Sequence, residues 1–126
     1  MPPDHRQSLG KWGEDVACAE LERRGYALLA RRYRTRAGEI DIVALDGRTV
    51  VFVEVKARAD PRFGGGAAAI TGWKQRRIAQ MALDFLARSK MMASPCRFDV
   101  VVVDVDADTV QVDVFAGAFD APASRT

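Results

Sequence analysis

Two short apolar segments of this 126-residue chain each carry ionisable side chains of a kind that could do chemistry. The first segment, residues 38–44, holds Glu39 and Asp41. The second, residues 51–56, holds Glu54 and Lys56. Two short carboxylates that face each other can bind one divalent cation between them, and oxygen ligands select a hard ion such as Mg²⁺ or Mn²⁺. The segments therefore predict a candidate cation site, provided that both lie in paired strands.

Strand alternation decides which of these side chains share a face. Side chains point alternately to the two faces of a sheet, so Glu39 and Asp41 are predicted on one face of the first strand. In the second strand, Glu54 and Lys56 share a face with Phe52. The residues predicted on the other face of the first strand are Ile40, Ile42 and Ala44.

The register of the two strands decides whether the acids meet. Asp46-Gly47 is a strong signal for a two-residue hairpin turn. The pairs predicted from that turn are Leu45 with Arg48, Asp41 with Phe52, and Glu39 with Glu54. Asp41 and Glu54 would then lie diagonally on one face, roughly 7–8 Å apart. A three-residue turn would place Asp41 opposite Val53 and abolish the pocket.

An ordinary structural role is the alternative for these charges. Glu54 and Lys56 could form a surface ion pair worth less than about 1 kcal/mol. The surrounding residues are those of a largely buried strand, where clustered acids have raised pKa values unless a cation compensates them. This context favours a functional site.

Glu14 is a third candidate acid. On a helix it heads the apolar stripe formed by Ala17, Cys18 and Leu21, so its carboxylate is predicted to point toward the sheet. The alternative is a first-turn glutamate that interacts favourably with the helix dipole.

The elements that would position these residues follow from periodicity and turn signals. A first helix is predicted from an N-cap at Ser8 to about residue 24, ending at Gly25. Strands are predicted over 26–33, 39–45, 49–57 and 98–105, with an edge strand over 110–115. A loop over 58–69 contains Gly64-Gly65-Gly66, and a second helix over 71–90 acts as a crossover. The fold class is α/β, a mixed sheet flanked by helices in the order α-β-β-β-α-β, as one domain over 1–120 with a frayed tail at 121–126.

Composition narrows the class of protein. The chain is 48% hydrophobic and 29% charged, which is ordinary for a globular domain, and its net charge is +2. No apolar run reaches membrane-spanning length and no secretory signal begins the chain, which predicts a cytoplasmic protein. Cys18 and Cys96 are predicted to be small buried hydrophobes. With His5 as the only histidine, a structural zinc site is excluded.

Five segments, taken in order, resemble the bacterial YraN-like family, which is similar to Holliday-junction resolvases of the PD-(D/E)xK nuclease superfamily. They are Gly13-Glu14, Arg24-Gly25-Tyr26, Gly38-Glu39-Ile40-Asp41, Phe52-Val53-Glu54-Val55-Lys56 and Arg97-Phe98-Asp99. The resemblance implies a restriction-endonuclease-like fold and a Mg²⁺ or Mn²⁺ cofactor. It implies catalytic roles for Glu14, Asp41, Glu54 and Lys56, and metal binding by Asp41, Glu54 and the Val55 carbonyl. Ile40 stands where the superfamily has proline, and Glu39 is an additional acid with an open role.

Basic residues cluster although the net charge is small. Arginines at 23, 24, 31, 32, 34 and 36 follow one another with no intervening acid, and Lys74, Arg76 and Arg77 form a second group. The residues predicted to contact nucleic acid are Arg32, Arg34, Arg36, Arg58, Lys74 and Arg77, with Gln75 at the pocket edge. The alternative is that these are solvated surface charges. Trp12 and Trp73 could stack on bases, with core packing as the alternative.

Three functions remain open from sequence. The leading one is an endonuclease-like hydrolase acting on DNA, including branched DNA by analogy with resolvases. The second is a non-catalytic nucleic-acid-binding or adaptor protein on the same fold. The third is a structural domain that binds a protein partner. Since resolvases act as two-fold dimers, the resemblance also suggests a homodimer.

Overall fold

The computed structural model describes residues 6–59, 70–106 and 108–120, with side chains from residue 9 onward. Across these residues the chain forms two helices and five strands. In chain order they are α1 (Arg6–Arg23), β1 (Ala27–Thr35), β2 (Gly38–Asp46), β3 (Thr49–Arg58), α2 (Gly72–Arg88), β4 (Cys96–Val105) and β5 (Val110–Phe119). The predicted loop glycines 64–66 and the predicted tail 121–126 lie outside the described residues.

The strands form one mixed sheet in the order β1-β2-β3-β4-β5. Successive strands pair antiparallel except β3 and β4, which are parallel. Parallel neighbours need a crossover connection, and α2 supplies it. The predicted fold class, including the additional edge strand β5, is confirmed.

The two helices cover opposite faces of the sheet. The face under α1 buries Ala17, Cys18, Leu21, Ile42, Ala44, Val51, Val53, Val101 and Val103. The face under α2 buries Ile40, Val43, Val50, Phe52, Phe98, Val100 and Val102, packed against Ile70, Ile78, Met81, Ala82, Phe85 and Leu86. The central strands β3 and β4 are therefore apolar on both sides, as their valine-rich sequences predict.

The helix boundaries differ from prediction at their first turns. Ser8 lies inside α1, which begins at Arg6, so the predicted N-cap is wrong. The α2 N-cap is Thr71, whose hydroxyl accepts the Lys74 N–H at 3.2 Å. All five residues of the predicted α2 stripe, from Ile78 to Leu86, are buried, which confirms the helical period.

The hairpin between β2 and β3 keeps the predicted parity but not the predicted register. Asp46 pairs with Thr49 and Leu45 with Val50, so the two-residue loop is Gly47-Arg48 rather than Asp46-Gly47. Gly47 has a φ of 62°, as the first loop position of a type II′ turn requires. The shift moves each partner by two residues, which keeps every side chain on its predicted face of β3.

One prediction about β2 is wrong. Ile40 and Ile42 were predicted on one face, yet Ile40 packs under α2 and Ile42 under α1. Their partners on β1 are Tyr33 and Arg31, and Arg32 between them has a φ of 53°. This left-handed residue breaks the alternation in the strand pair, so both strands change faces beside Asp41.

The exposure of four side chains tests the predictions made for the two cysteines and the two tryptophans. Cys18 is buried as predicted, but Cys96 is exposed because it begins β4 ahead of the buried stretch. Trp12 packs partly buried against the α1 cluster, whereas Trp73 is 61% exposed. A residue four positions before Ile78, such as Lys74, lies in line with the buried stripe of α2. Trp73 is five positions before Ile78, so its indole falls to one side of that stripe.

The α1 backbone approaches β3 closely at one point. A Cβ placed on Gly13 would lie 2.6 Å from the Cβ of Ala57, so a side chain there would collide. This explains a glycine within a helix, where it is otherwise unfavourable. No helix within the described ranges is long and apolar enough to cross a membrane.

Candidate functional site

The candidate site lies where β2 and β3 separate. The two strands pair from Asp46–Thr49 to Ile42–Val53. Beyond that point β2 continues along β1, and β3 continues along β4. The first residues past the last pair are Asp41 and Glu54, which therefore stand opposite each other across the opening of a fork.

Asp41 reaches sideways from β2 to the backbone of β3. Its Oδ2 accepts the Val55 N–H at 2.7 Å. Burial raises the pKa of Asp41 to about 7, and the neighbouring Glu54 carboxylate adds to this shift. The Val55 N–H opposes the shift, and Glu14 contributes to it weakly. Ionising two neighbouring acids in one poorly solvated place is unfavourable unless a cation compensates them.

Glu54 lies on the α2 face of β3 and receives a cation from that helix. The Lys74 ammonium lies 2.6 Å from Glu54 Oε1, and the Glu54 side chain is only 13% exposed. Lys74 also lowers the pKa of Asp41. Sequence reasoning had assigned Lys74 to phosphate contacts, but the structure places it on the acid pair.

Lys56 follows Glu54 on the same face of β3, as predicted. Burial lowers the pKa of Lys56, and the nearby Lys74 ammonium lowers it further. Glu54 acts in the opposite direction and favours the charged form. Lys74 contacts Glu54 directly and Lys56 lies in electrostatic range of it, so two lysines from different elements act on one partly buried glutamate.

Glu14 approaches the fork from the α1 face. Its side chain is 12% exposed, and Oε1 accepts a hydrogen bond from Arg32 Nε at 2.9 Å. Arg31 Nη2 lies 3.6 Å from the same oxygen. Glu14 raises the pKa of Asp41, which puts it within electrostatic range of the acid pair. The prediction that Glu14 points toward the sheet is confirmed.

Each helix begins its apolar stripe with one charged residue over the fork. Glu14 lies four residues before Cys18, and Lys74 lies four residues before Ile78. A residue at that offset points to the same side as the buried residue that follows. The signal that identified Glu14 from sequence was therefore also available for Lys74.

The remaining predicted site residues lie on other partners. Arg58 Nε contacts Asp104 Oδ1 at 2.6 Å, and Gln75 Nε2 donates to the Ile70 carbonyl at 2.8 Å. Arg77 donates to the Ala37 carbonyl and lies over the Trp73 ring. Most arginines of the predicted basic run are also paired with acids. Those pairs are Arg23 and Arg24 with Glu20, Arg31 with Asp15, Arg32 with Glu14, and Arg34 with Glu39.

Arg36 differs from those arginines by its position, since it is exposed in the turn between β1 and β2. The structure thus brings six predicted residues into contact or electrostatic range at the fork. They are Glu14, Asp41, Glu54, Val55, Lys56 and Lys74. The other predicted contacts lie around this centre or, like Arg58, on a neighbouring ion pair.

The donor set at the fork is compatible with a magnesium ion. Mg²⁺ is commonly held by one or two carboxylates and keeps several waters. Asp41 and Glu54 provide two carboxylates. Within the described ranges, no group of three or more Asp, Glu, His or Cys side chains could hold a metal. A cation here would therefore depend on the two acids, water, substrate oxygens and the Val55 carbonyl, which the family resemblance implies as a ligand.

A second charged cluster brings together three other residues of the recognised segments, Tyr26, Arg97 and Asp99. Arg97 contacts both oxygens of Asp99, at 2.9 and 3.0 Å, and donates to the Tyr26 hydroxyl at 2.7 Å. Its third contact is with Asp46, at 3.0 Å. The Gly117 N–H donates to Asp99 at 3.0 Å. This cluster ties β4 to the end of α1, the β2–β3 hairpin and β5.

The order of elements and the parallel β3–β4 pair define a mixed α/β protein, which is consistent with a nuclease-like fold. The chain belongs to the uncharacterised protein family UPF0102, whose model matches residues 13–103. This confirms the family resemblance read from the sequence.

Relatives cover nearly the whole chain. A UPF0102 protein of Geobacter metallireducens is 43% identical over 116 residues, covering 92% of this chain and 95% of that protein. One from Herminiimonas arsenicoxydans is 48% identical over 103 residues, covering 82% of each chain. One from Syntrophotalea carbinolica is 44% identical over 115 residues, covering 91% and 94%.

Proposed function

We propose that this protein is a metal-dependent endonuclease-like hydrolase that cleaves phosphodiester bonds in DNA, including branched DNA. The observation that carries the proposal is the partly buried pair of acids, Asp41 and Glu54, at the fork. Asp41 has a pKa raised to about 7 because it is buried beside Glu54. Charges held in an unfavourable position, at the mouth of a strand opening, are typical of functional sites.

The roles of the residues follow from their charges. Asp41 and Glu54 would hold the ion, which supplies Lewis-acid stabilisation of the phosphate and a more acidic bound water. Lys56, whose pKa is lowered by burial, places a compact cation where charge develops on the phosphate oxygens. Glu14 lies on α1 within electrostatic range of Asp41 and would orient water or a second charge.

Lys74 supports the same proposal from α2. Its ammonium binds Glu54 at 2.6 Å and so compensates one of the two acids. A cation bound between the acids would supply that charge in its place. Lys74 would then be released from Glu54 and could reach a phosphate oxygen, which reconciles its observed contact with its predicted role.

The ion pairs of the arginine run weaken the alternative of a purely electrostatic nucleic-acid binder. That alternative needs a basic surface to release counterions from the phosphate backbone. Arginines 23, 24, 31, 32 and 34 are each within 3.0 Å of a carboxylate, which reduces the electrostatic potential available to a phosphate. The catalytic proposal depends on the fork instead.

Cleavage of defined DNA substrates tests the proposal. Purified protein is incubated with labelled branched, flapped and plain duplex DNA in Mg²⁺ or Mn²⁺, with a chelator as blank. We expect cleavage of at least one substrate, reduced at least about 100-fold by Glu54→Gln and by Lys56→Met. Glu22→Gln, which removes an exposed acid on α1, serves as the control and should cleave normally. A correctly folded protein that cleaves no substrate with either metal would contradict the proposal.

A homodimer belongs to the proposal only through the analogy with resolvases. A nearly two-fold substrate is best matched by a two-fold enzyme. Light scattering on the purified protein, with and without a four-way junction, measures the oligomeric state. A protein that stays monomeric on every DNA substrate would contradict the proposed homodimer but would leave the proposed roles of Asp41 and Glu54 unchanged.

A further inference from the structure

A cavity of about 310 Å³ opens beside the first turn of α2. Its lining residues are Glu39, Trp73, Lys74, Arg77, Ile78 and Met81. Ile78 and Met81 are buried core residues and form an apolar floor. Trp73 and the three charged residues form the wall. The volume lies at the lower end of the range for small-ligand sites and suits a single flat group.

Trp73 is held in an exposed position rather than buried. The residue is 61% exposed, and the Arg77 guanidinium carbon lies 4.6 Å from the centroid of its ring. Arg77 is itself fixed, because it donates to the Ala37 carbonyl in the β1–β2 turn. Gly38 makes room for this arrangement, since a Cβ there would meet Arg77 Nη2 at 2.7 Å. One face of the indole is therefore backed by a positioned cation, and the other is left for a planar partner.

The cavity adjoins the fork through Lys74. This residue lines the cavity, and its ammonium contacts Glu54 at 2.6 Å. A group bound against Trp73 would thus be one side chain away from the acids that would hold the metal. In a nucleic acid, a base is separated from the neighbouring phosphate by a single sugar, so the spacing suits a base and its own backbone.

We propose that this cavity, called here the Trp73 cavity, binds one unpaired nucleobase next to the phosphate that is cleaved. The inference rests on the proposed nuclease function and names its substrate class. Indole and guanidinium surfaces can stack on any base. A carboxylate such as Glu39 can accept a hydrogen bond from a base amino group. A base inside a duplex is already stacked and is not accessible. The cavity therefore selects single-stranded segments, flaps or branch points over intact duplex.

Tryptophan fluorescence tests this inference without cleavage. The chain has two tryptophans, so Trp12→Phe leaves Trp73 as the single reporter. A short single-stranded oligodeoxynucleotide is titrated in chelator, and a blunt duplex of the same length is titrated in parallel. We expect the single strand to quench Trp73 strongly and the duplex to quench it little. Trp73→Phe, which leaves only Trp12, should report little change with either.

The second test measures the affinity of the protein for a fluorescently labelled single-stranded oligonucleotide by anisotropy. Trp73→Ala should weaken single-strand binding about 10-fold, the loss expected for one base–aromatic stack. Leu83→Ala removes another exposed apolar side chain of α2 and should have no effect. Equal quenching by duplex and single strand, or unchanged single-strand affinity in Trp73→Ala, would overturn the inference.

The two proposals fail in different ways. Cleavage that depends on Glu54, together with no Trp73 response to the single strand, would overturn the cavity and leave the nuclease standing. A selective Trp73 response without metal-dependent cleavage of any substrate would support the base cavity and contradict the nuclease. Selective quenching together with preferential cleavage near unpaired bases would support both.

Discussion

Asp41 and Asp99 are two aspartates on strands of the same sheet, with opposite surroundings. Asp99 is 1% exposed and receives hydrogen bonds from the Arg97 guanidinium and the Gly117 backbone. Asp41 receives one from the Val55 backbone and lies beside Glu54 and Glu14. The first carboxylate is neutralised by its neighbours, whereas the second is placed among other acids.

This difference separates a structural role from a functional one. A buried acid with a hydrogen-bonded cation partner holds elements together, and removing either partner leaves an uncompensated charge. A buried acid beside a second acid weakens the folded state unless a proton or a cation joins them. Asp99 therefore fits a structural tie, and Asp41 fits a site completed by a ligand.

The largest expected effect is on the Asp99 cluster. Asp99→Asn leaves Arg97 without its bidentate partner, so we expect a loss of about 3–5 kcal/mol in the free energy of unfolding. The matched substitution at the fork, Asp41→Asn, should cause no such loss. Urea unfolding at pH 7.5 in chelator measures both. Equal losses in the two variants would abolish the contrast.

The second effect is a gain in stability at Asp41 that depends on pH. The folded pKa, about 7, lies above the ordinary value of 3.8. The contribution of Asp41 to stability therefore falls as pH rises from about 4 through 7, because the partly buried acid must ionise in the folded state. Asp41→Asn should be more stable by about 2–4 kcal/mol at pH 8 in chelator, with the gain falling below about 1 kcal/mol near pH 4. A gain that is equal at both pH values would contradict the raised pKa.

The third effect concerns metal binding. A cation needs Asp41 ionised, so its affinity should rise about 10-fold between pH 6 and pH 8, centred on the pKa near 7. Calorimetric titration with Mg²⁺ or Mn²⁺ across this range measures it. Asp41→Asn should bind weakly with no such step. A flat profile in the wild-type protein would show that Asp41 is not a ligand.

The smallest expected effect is at Lys74. Its side chain is 45% exposed, so Lys74→Gln should change the free energy of unfolding by less than about 1 kcal/mol. Because Lys74 lowers the pKa of Asp41, its loss should move the metal-binding midpoint to higher pH. Lys11→Gln, an exposed lysine on α1, is the control. An unchanged pH midpoint of metal binding in Lys74→Gln would show that Lys74 does not influence the ionisation of Asp41.

The sequence was sufficient to predict the strands of the sheet and which side chains share a face of β3. Glu54 and Lys56 were predicted on one face, and they stay there because the hairpin register differs by two residues, which preserves parity. The buried stripe of α2 followed from its 3.6-residue period. Local periodicity is a property of neighbouring residues, so it can be read without knowing the rest of the fold.

Contacts between distant elements could not be read in this way. The face change at Asp41 depends on Arg32 in a left-handed conformation, which is uncommon for arginine and has no local signal. The basic run seemed unneutralised because its acids lie elsewhere, for example Asp15 on α1 for Arg31. Core packing and base stacking were both open for Trp73, and its place beside the α2 stripe leaves the side chain exposed.

The contact of Gly13 with Ala57 sets the clearance between two layers of the molecule. Bare helix backbone rests on β3 one residue before Glu14 and one residue after Lys56. A single added methyl group at position 13 would push α1 away from the sheet. The spacing between helix and sheet at this point therefore sets how far Glu14 lies from Asp41, and Gly13→Ala would increase that distance.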